Sequence, residues 1–345
     1  MTRIKKTVFA FLLLLVIVAL AIGFMAYRMI YAPNAEVKNV AGFSLKIKDN
    51  ANFNDVKEIL YKNNVIKNKT SFEFLAKLMK YTGNVKPGHY IIKNGMSNKK
   101  LINKLRAGRQ DAVKLIFNNI RTKQELAGRL AQQLKIDSVS FMDYMTNDEF
   151  LKKYSFSSET VIAMFIPNTY EMYWDTKPEK FFDKMYSEYQ KFWNAERESK
   201  LGDINLDKLQ VMTLASIVEK ESNKSDERPV IAGVYMNRLH QNWPLQADPT
   251  IVFAVGDFSI KRVLNEHKAI ESPYNTYKHA GLPPAPICIP SISSIDAVLN
   301  YQRHDYMFFC AREDFSGYHN FASSLQEHDA NAKRYQSALD RQGIK

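Results

Sequence analysis

Between Val8 and Tyr27 the chain reads VFAFLLLLVIVALAIGFMAY, twenty residues without a charge. Coiled as an α-helix, that stretch is about 30 Å long, the thickness of a bilayer's hydrocarbon core. No other part of the 345 residues approaches this hydrophobic length. The sequence therefore predicts a single-pass protein. Arg3, Lys5 and Lys6 precede the run, and the positive-inside rule leaves this tail in the cytoplasm and sends the chain after Tyr31 across the membrane. The alternative is a cleaved signal peptide with Ala19-Leu20-Ala21 as its small-residue processing site. The apolar run continues six residues past Ala21, longer than the usual ~7 to 15 residue signal core, which favours the anchor.

The formal charge of +12 invites nucleic acid, an anionic membrane or an acidic polymer as partner. Its distribution decides among them. Residues 1–34 carry +4, residues 35–110 carry +11 and residues 111–345 carry −3. The surplus lies next to the membrane segment, no helix-turn-helix signature is present, and the compartment is wrong for DNA, so no nucleic acid partner is expected. An anionic leaflet or an anionic glycan remains, beside the plainer reading of lysines as a solvated surface. Two cysteines, Cys288 and Cys310, are too few for a disulfide scaffold or a Cys-rich zinc module. One disulfide and two free thiols are both open.

Hydrophobic residues make up 46% of the chain, with only 13 Gly and 12 Pro, so it has the material for folded domains, about two at this length. Gly42 to Lys48 alternates like a strand, and Asn54 to Asn63 puts Val56, Ile59 and Leu60 on one helical face. Ser71 is the expected N-cap of a second helix, followed by a break at Gly83, Pro87 and Gly88, the strand His89 to Ile92 and a helix from Asn98 to Leu105. A second unit begins near Asp111 with a strand (Ala112 to Phe117) and a helix (Thr122 to Leu134). Pro178 to Trp193 and Leu206 to Glu221 read as helices. Loops are expected at Leu245 to Ile251, Ser272 to Tyr277 and Gly281 to Pro290, then strands at Tyr306 to Ala311 and His319 to Phe321 and a closing helix. The expected fold class is α+β: residues 1–34 form tail, membrane helix and linker, 35–110 a small α/β domain, and 111–345 a larger mixed domain.

The chemical candidates cluster on the Leu206 to Glu221 helix, where the apolar stretch Leu214-Ala215-Ser216-Ile217-Val218 runs into Glu219-Lys220-Glu221. A carboxyl against an apolar wall tends to stay protonated, as a general acid requires. At ~100° per residue the two glutamates lie on nearly opposite sides of the helix, so one is catalytic and the other structural, or both simply pair with Lys220, Arg228 or Arg238. Helical phase does not choose between them. His304, His319 and His328 lack the spacing of a compact zinc site, and neither a metal nor another cofactor is expected. Ser216 has no Gly-x-Ser-x-Gly elbow, and no Gly-rich phosphate loop exists.

The ordered set Leu214 to Ser222, Glu227-Arg228, Val234 to Leu239, Leu245-Gln246-Ala247-Asp248-Pro249-Thr250, Ser272 to Tyr277, Gly281 to Ile287 and His319-Asn320-Phe321 resembles the MltG (YceG-like) endolytic murein transglycosylases. The resemblance implies an N-terminal membrane helix, a LysM-like domain and a catalytic domain outside the cytoplasmic (inner) membrane. It implies peptidoglycan glycan strands as substrate, peptidoglycan synthases as partner class, and cleavage of the MurNAc-GlcNAc bond of nascent strands with 1,6-anhydro-MurNAc formation. By the same resemblance Glu221 is catalytic and Glu219 supporting, and Gln246, Asp248, Tyr274, Asn275, Thr276 and His319 line the glycan cleft. Ala247 stands where the family usually has Thr or Ser, and Asn168 where it commonly has Asp. A non-catalytic peptidoglycan-binding protein and a hydrolytic muramidase are the competing readings.

Overall fold

The computed structural model describes residues 3–343 and is a mixed α+β structure. The chain divides into two compact units. The smaller runs to Lys114 and takes back Glu171–Thr176; the larger comprises Leu115–Tyr170 and Lys177 onward.

The smaller unit opens with α1 (Arg3–Tyr31), the helix long and apolar enough to cross a membrane, whose apolar side chains are uncovered from Val8 to Tyr27. The folded part follows as β1 (Phe43–Ile47), α2 (Phe53–Lys62), α3 (Lys69–Leu78), β2 (Gly88–Ile92) and α4 (Asn98–Arg106). β1 and β2 pair antiparallel with Phe43 opposite Ile92 and Ile47 opposite Gly88. Alternation along β1 turns Leu45 and Ile47 inward, as a strand with one covered face requires. Asn52 caps α2, accepting from the amides of Asn54 and Asp55, while the Asp55 carboxylate accepts from the Asn52 amide at 2.7 Å. This reciprocal pair satisfies two of the helix's orphan groups. α3 starts earlier than the sequence suggests: its cap is Asn68, which accepts from the Ser71 amide at 2.9 Å. The reason is tertiary. Buried Asn34 accepts from the Asn68 amide at 2.7 Å and donates to Asn98 Oδ1 at 2.7 Å, which pins Asn68 as the entry point. The core gathers Leu45, Ile47, Val56, Leu60, Phe72, Tyr90 and Leu101, and Ile30 from the last turn of α1 packs against it. Asp111 stays with this unit, ion-paired to Lys104 at 2.6 Å and accepting from the Ile91 amide at 2.6 Å.

β3 (Val113–Phe117) pairs with β4 (Asn168–Met172), and the division between units falls within these strands. The larger unit adds α5 (Lys123–Gln133), α6 (Ser138–Thr146), α7 (Asp148–Lys152), α8 (Pro178–Phe192), α9 (Ala195–Ile204), α10 (Lys208–Glu221), α11 (Arg228–His240), α12 (Asp248–Val255), α13 (Asn265–Lys268), α14 (Ile292–Leu299), β5 (Phe308–Ala311), β6 (His319–Ala322) and α15 (Leu325–Arg341). α10 is its axis. Asp207 and Gln210 form a capping box at its start, and every side chain from Val211 to Val218 is buried. Fully burying each large aliphatic side chain contributes about 1.5 to 3 kcal/mol, so α10 is held by packing all round rather than by one amphipathic face. α11, α12 and α14 all pack on it. α11 carries Gly233 where a Cβ would stand 2.2 Å from the Gln302 carbonyl oxygen, so the absent side chain lets the 302–307 segment lie against the helix. Asn237 fastens that segment by donating to the carbonyls of His304 and Tyr306.

The stretch expected as a loop from Leu245 to Ile251 becomes helix at Asp248. Pro249 in the first turn has the pre-set φ of a helix start and no amide to leave unsatisfied, and Asp248 places its carboxylate at the positive end of the helix dipole. Cys288 and Cys310 are free thiols.

Candidate active site

α10 stops at Glu221 because Ser222 adopts extended backbone, φ −140° and ψ 136°. The chain reverses through Ser222–Glu227 and returns as α11, so residues fourteen and seventeen positions on lie beside the end of α10. Tyr235, buried, donates its hydroxyl to Glu221 Oε1 at 2.5 Å. Arg238, one turn further along α11, is buried with its guanidinium donating to the carbonyls of Met307 (2.8 Å) and Leu245 (2.5 Å). Glu221 keeps a partly exposed edge, which opens onto a cavity of about 250 Å³. Asp248, Val252, Phe253, Phe258 and Ile287 contribute to its walls, with Arg121, Lys220 and Lys261.

This setting raises the Glu221 carboxyl from its ordinary 4.5 to about 7. Burial is the largest cause, since a carboxylate there forfeits most of its hydration. The Tyr235 hydrogen bond works against it by stabilising the anion, the negative Asp248 adds to it, and Arg238 opposes it weakly. Desolvation is the largest effect, and Arg238, whose guanidinium donates to two carbonyls, acts on Glu221 through its charge. Burial and the neighbouring Glu221 raise the Tyr235 phenol well above its usual range, so it remains a donor.

Glu219 points elsewhere. Its carboxylate accepts from the Ser291 and Ser294 hydroxyls, both at 2.5 Å, and pairs with Arg228 at 3.2 Å. Arg228 is itself buried and donates to the Ser291 and Ser293 hydroxyls. The pair ties α10 to the start of α14, with Glu219 Oε2 taking all of these contacts.

The expected cleft residues separate into two groups. Asp248 lines the cavity and accepts from the Tyr277 hydroxyl at 2.6 Å. Tyr274 packs on Phe253, a cavity wall, with ring centroids 4.8 Å apart. Gln246 is exposed, with backbone in the left-handed region (φ +52°) and its amide donating to the Thr276 carbonyl at 2.9 Å. Asn275 and Thr276 do not face the cavity: both are buried. Asn275 donates to the Lys268 and Ile270 carbonyls, and Thr276 accepts from the Ala247 amide at 3.0 Å and shares a hydrogen bond with Thr250. They shape the Ser272–Tyr277 loop and hold it against the start of α12, which presents Asp248. His319 is half-buried, its Nδ1 2.9 Å from the buried carboxylate of Glu227.

Tyr235 and Tyr277 are the site residues that sequence reasoning passes over, and Arg238 enters it only as a possible pairing partner of the two glutamates. The signal was available in Val234 to Leu239, where Tyr235 and Arg238 stand three apart on one helical face. Among the described residues no group of three or more His, Cys, Asp or Glu side chains converges as a metal site. His304 contacts the Val230 carbonyl at 2.9 Å, and His328 stacks on Phe308.

A family model described as YceG-like matches residues 45–334. A Bacillus subtilis protein named endolytic murein transglycosylase is 30% identical, over 86% of this chain and 85% of the relative. A Streptococcus pneumoniae protein of the same name is 27% identical over 97% of this chain and 66% of the relative. The 2.6 Å crystal structure of a yceG-like protein from Listeria monocytogenes superimposes with a TM-score of 0.55 at 28% identity, covering 84% of this chain and 98% of that one. The motif set around Glu221 and the match along most of the chain lead to one conclusion: the chain belongs to the YceG-like family.

Proposed function

We propose that this protein is a membrane-anchored endolytic lytic transglycosylase that cleaves the MurNAc-GlcNAc bond of nascent peptidoglycan strands and so ends their elongation. The observation that carries the reading is Glu221: one carboxyl group, raised to about 7, oriented by Tyr235 and open to a cavity. A general acid works best with a pKa near the operating pH, because it is then both present as the acid and willing to release its proton. The names of the Bacillus and Streptococcus relatives support the same reaction.

The chemistry needs one proton carrier. Glu221 protonates the glycosidic oxygen as the bond from the muramyl C1 breaks, and the N-acetylglucosamine leaves with a free 4-hydroxyl. The carboxylate so formed takes the proton of the muramyl 6-hydroxyl, whose oxygen bonds to C1 and closes the 1,6-anhydro ring. Glu221 ends as it began, protonated, and no water is consumed. A two-carboxylate glycosidase uses its second group as nucleophile or water activator. Here Glu219 is bound to two serines and Arg228, which supports the single-carboxylate scheme. Asp248 contributes negative potential beside the developing positive charge at C1 and adds to the burial that keeps Glu221 protonated. Tyr274 and Gln246 extend the saccharide surface, His319, held by Glu227, is a further candidate for substrate contact, and Asn275 and Thr276 hold the loop in shape.

In this reading α1 anchors the protein in the cytoplasmic membrane with the chain after Tyr31 outside the cytoplasm, and β1-α2-α3-β2 form the LysM-like domain. Incubating the full-length protein in detergent with uncross-linked glycan strands should yield fragments ending in anhydro-muramic acid, one water lighter than hydrolytic ends. Ordinary reducing ends would identify a hydrolase, and strand binding without fragments a non-catalytic wall-binding protein.

A further inference from the structure

Three cations on the cavity rim have no part in the acid-base chemistry. Arg121, Lys220 and Lys261 all line the cavity that Glu221 opens onto. Arg121 lays its guanidinium over the Phe258 ring, 4.9 Å from the centroid. Lys220 donates to the neutral Asn119 side chain at 2.7 Å. Lys261 is exposed on the loop that follows α12. Among the described residues none of the three forms an ion pair with Asp or Glu, whereas Lys104, Arg197, Lys278 and Arg334 each have an acidic partner. The cavity's own acids are otherwise engaged: Asp248 holds Tyr277, and Glu221 holds Tyr235.

We propose that Arg121, Lys220 and Lys261 form a subsite for a carboxylate carried on the muramyl residue, placed beside the bond that Glu221 cleaves. This rests on the reading of the protein as a peptidoglycan-cleaving enzyme and names what it selects within that polymer. Hydroxyl and acetamido groups are neutral, and a cluster of unpaired cations adds nothing to their recognition beyond ordinary hydrogen bonds. A carboxylate meets these cations with the opposite charge on its acceptor oxygens and accepts bidentately from a guanidinium, which strengthens the same contacts. Arg121 suits the role best, since a guanidinium steadied on an aromatic face presents its donor fork pre-organised. Two sources supply the charge: the lactyl carboxylate of a strand without peptides, and the free carboxylates of an attached peptide.

The test uses uncross-linked strands in two forms, peptide-bearing (lactyl group held as an amide, peptide carboxylates free) and amidase-stripped (lactyl carboxylates free), each before and after carbodiimide amidation to neutral amides. In at least one form the wild-type protein is expected to show a KM on amidated strands about tenfold above that on native (unamidated) ones, the size of one to two charge-assisted contacts, with kcat little changed. In the double variant Arg121→Gln/Lys261→Gln the native-to-amidated ratio should collapse toward one. Lys261→Gln alone, at an exposed position, should reduce the ratio partway and shows that the effect is not misfolding. A preference in the stripped form assigns the lactyl carboxylate, and a preference in the peptide-bearing form assigns the peptide carboxylates. A wild-type ratio near one in both forms, or a ratio that survives the double substitution, overturns the proposal. Equilibrium binding of the same strands to Glu221→Gln protein reads the ratio without cleavage. Absence of anhydro ends from every strand would therefore refute the proposed reaction while the carboxylate subsite is judged separately.

Discussion

Replacing Glu221 by Gln should stop the reaction and at the same time stabilise the protein in mild alkali. The second effect follows from linkage. The folded-state carboxyl titrates near 7 and an unfolded one near 4.5, so between these values the folded chain binds more protons than the unfolded chain. Stability from this group is then complete below pH 4.5, declines as pH rises, and is lost once pH has passed through about 7. At about 1.4 kcal/mol per pH unit the loss amounts to about 3 kcal/mol. Glutamine has nearly the same shape, keeps a carbonyl oxygen for the Tyr235 hydroxyl, and carries no charge to desolvate. The stability of Glu221→Gln relative to wild type should rise by about 3 kcal/mol between pH 4.5 and about pH 8, which in a unit of this size raises the thermal midpoint by roughly 6 to 12 °C. Cleavage should fall by about 10² to 10⁴, the usual contribution of a general acid-base group. Calorimetric melts of both proteins across that pH range measure the first effect, and release of anhydro ends measures the second. A stability difference that stays flat with pH would refute the desolvated carboxyl, whatever happened to activity.

The neighbours of Glu221 make signed predictions about pH dependence. Because the free enzyme must enter with Glu221 protonated, kcat/KM should decline above about pH 7; Tyr235→Phe removes a bond that stabilises the anion and should move that decline to higher pH, whereas Asp248→Asn removes a repelling charge and should move it lower. Identical pH profiles for wild type and both variants would dissociate these residues from the acid. Glu219→Ala should act on the fold instead, since it leaves Arg228 buried without its carboxylate at a cost of about 3 to 5 kcal/mol, read as a lower denaturation midpoint with kcat per folded molecule largely kept.

Much of the larger unit was legible because its signals are local. The helix expected to end at Glu221 does so, with Asp207 as a cap of the favoured type and Gln210 completing the box. Elsewhere two caps of equal quality compete: Asn68 and Ser71 both suit a helix start, and the choice comes from Asn34, more than thirty residues away. The start of α12 was hidden because Ala-Asp-Pro-Thr reads equally well as a turn and as a helix opening at proline. Asn275 and Thr276 show the same limit at the site. Polar residues in a loop are expected to face solvent and ligand, but these two satisfy backbone groups of neighbouring segments and are buried for that reason.

By itself the sequence determined the membrane-length helix, the confinement of excess charge to its neighbourhood, and the presence of a carboxylate pair at the end of an apolar helix. Those properties are written in runs and periods of adjacent residues. Helical phase left Glu219 and Glu221 unseparated, and the family resemblance singled out Glu221 without a physical cause. Only the tertiary structure supplied one. The start of α14 brings serines to Glu219 and the start of α11 brings Arg228, while further along α11 and at α12 Tyr235, Asp248 and a cavity come to Glu221. The charge state of a carboxyl group depends on the water it loses and the groups that replace it, and those groups come from parts of the chain that meet only when it folds.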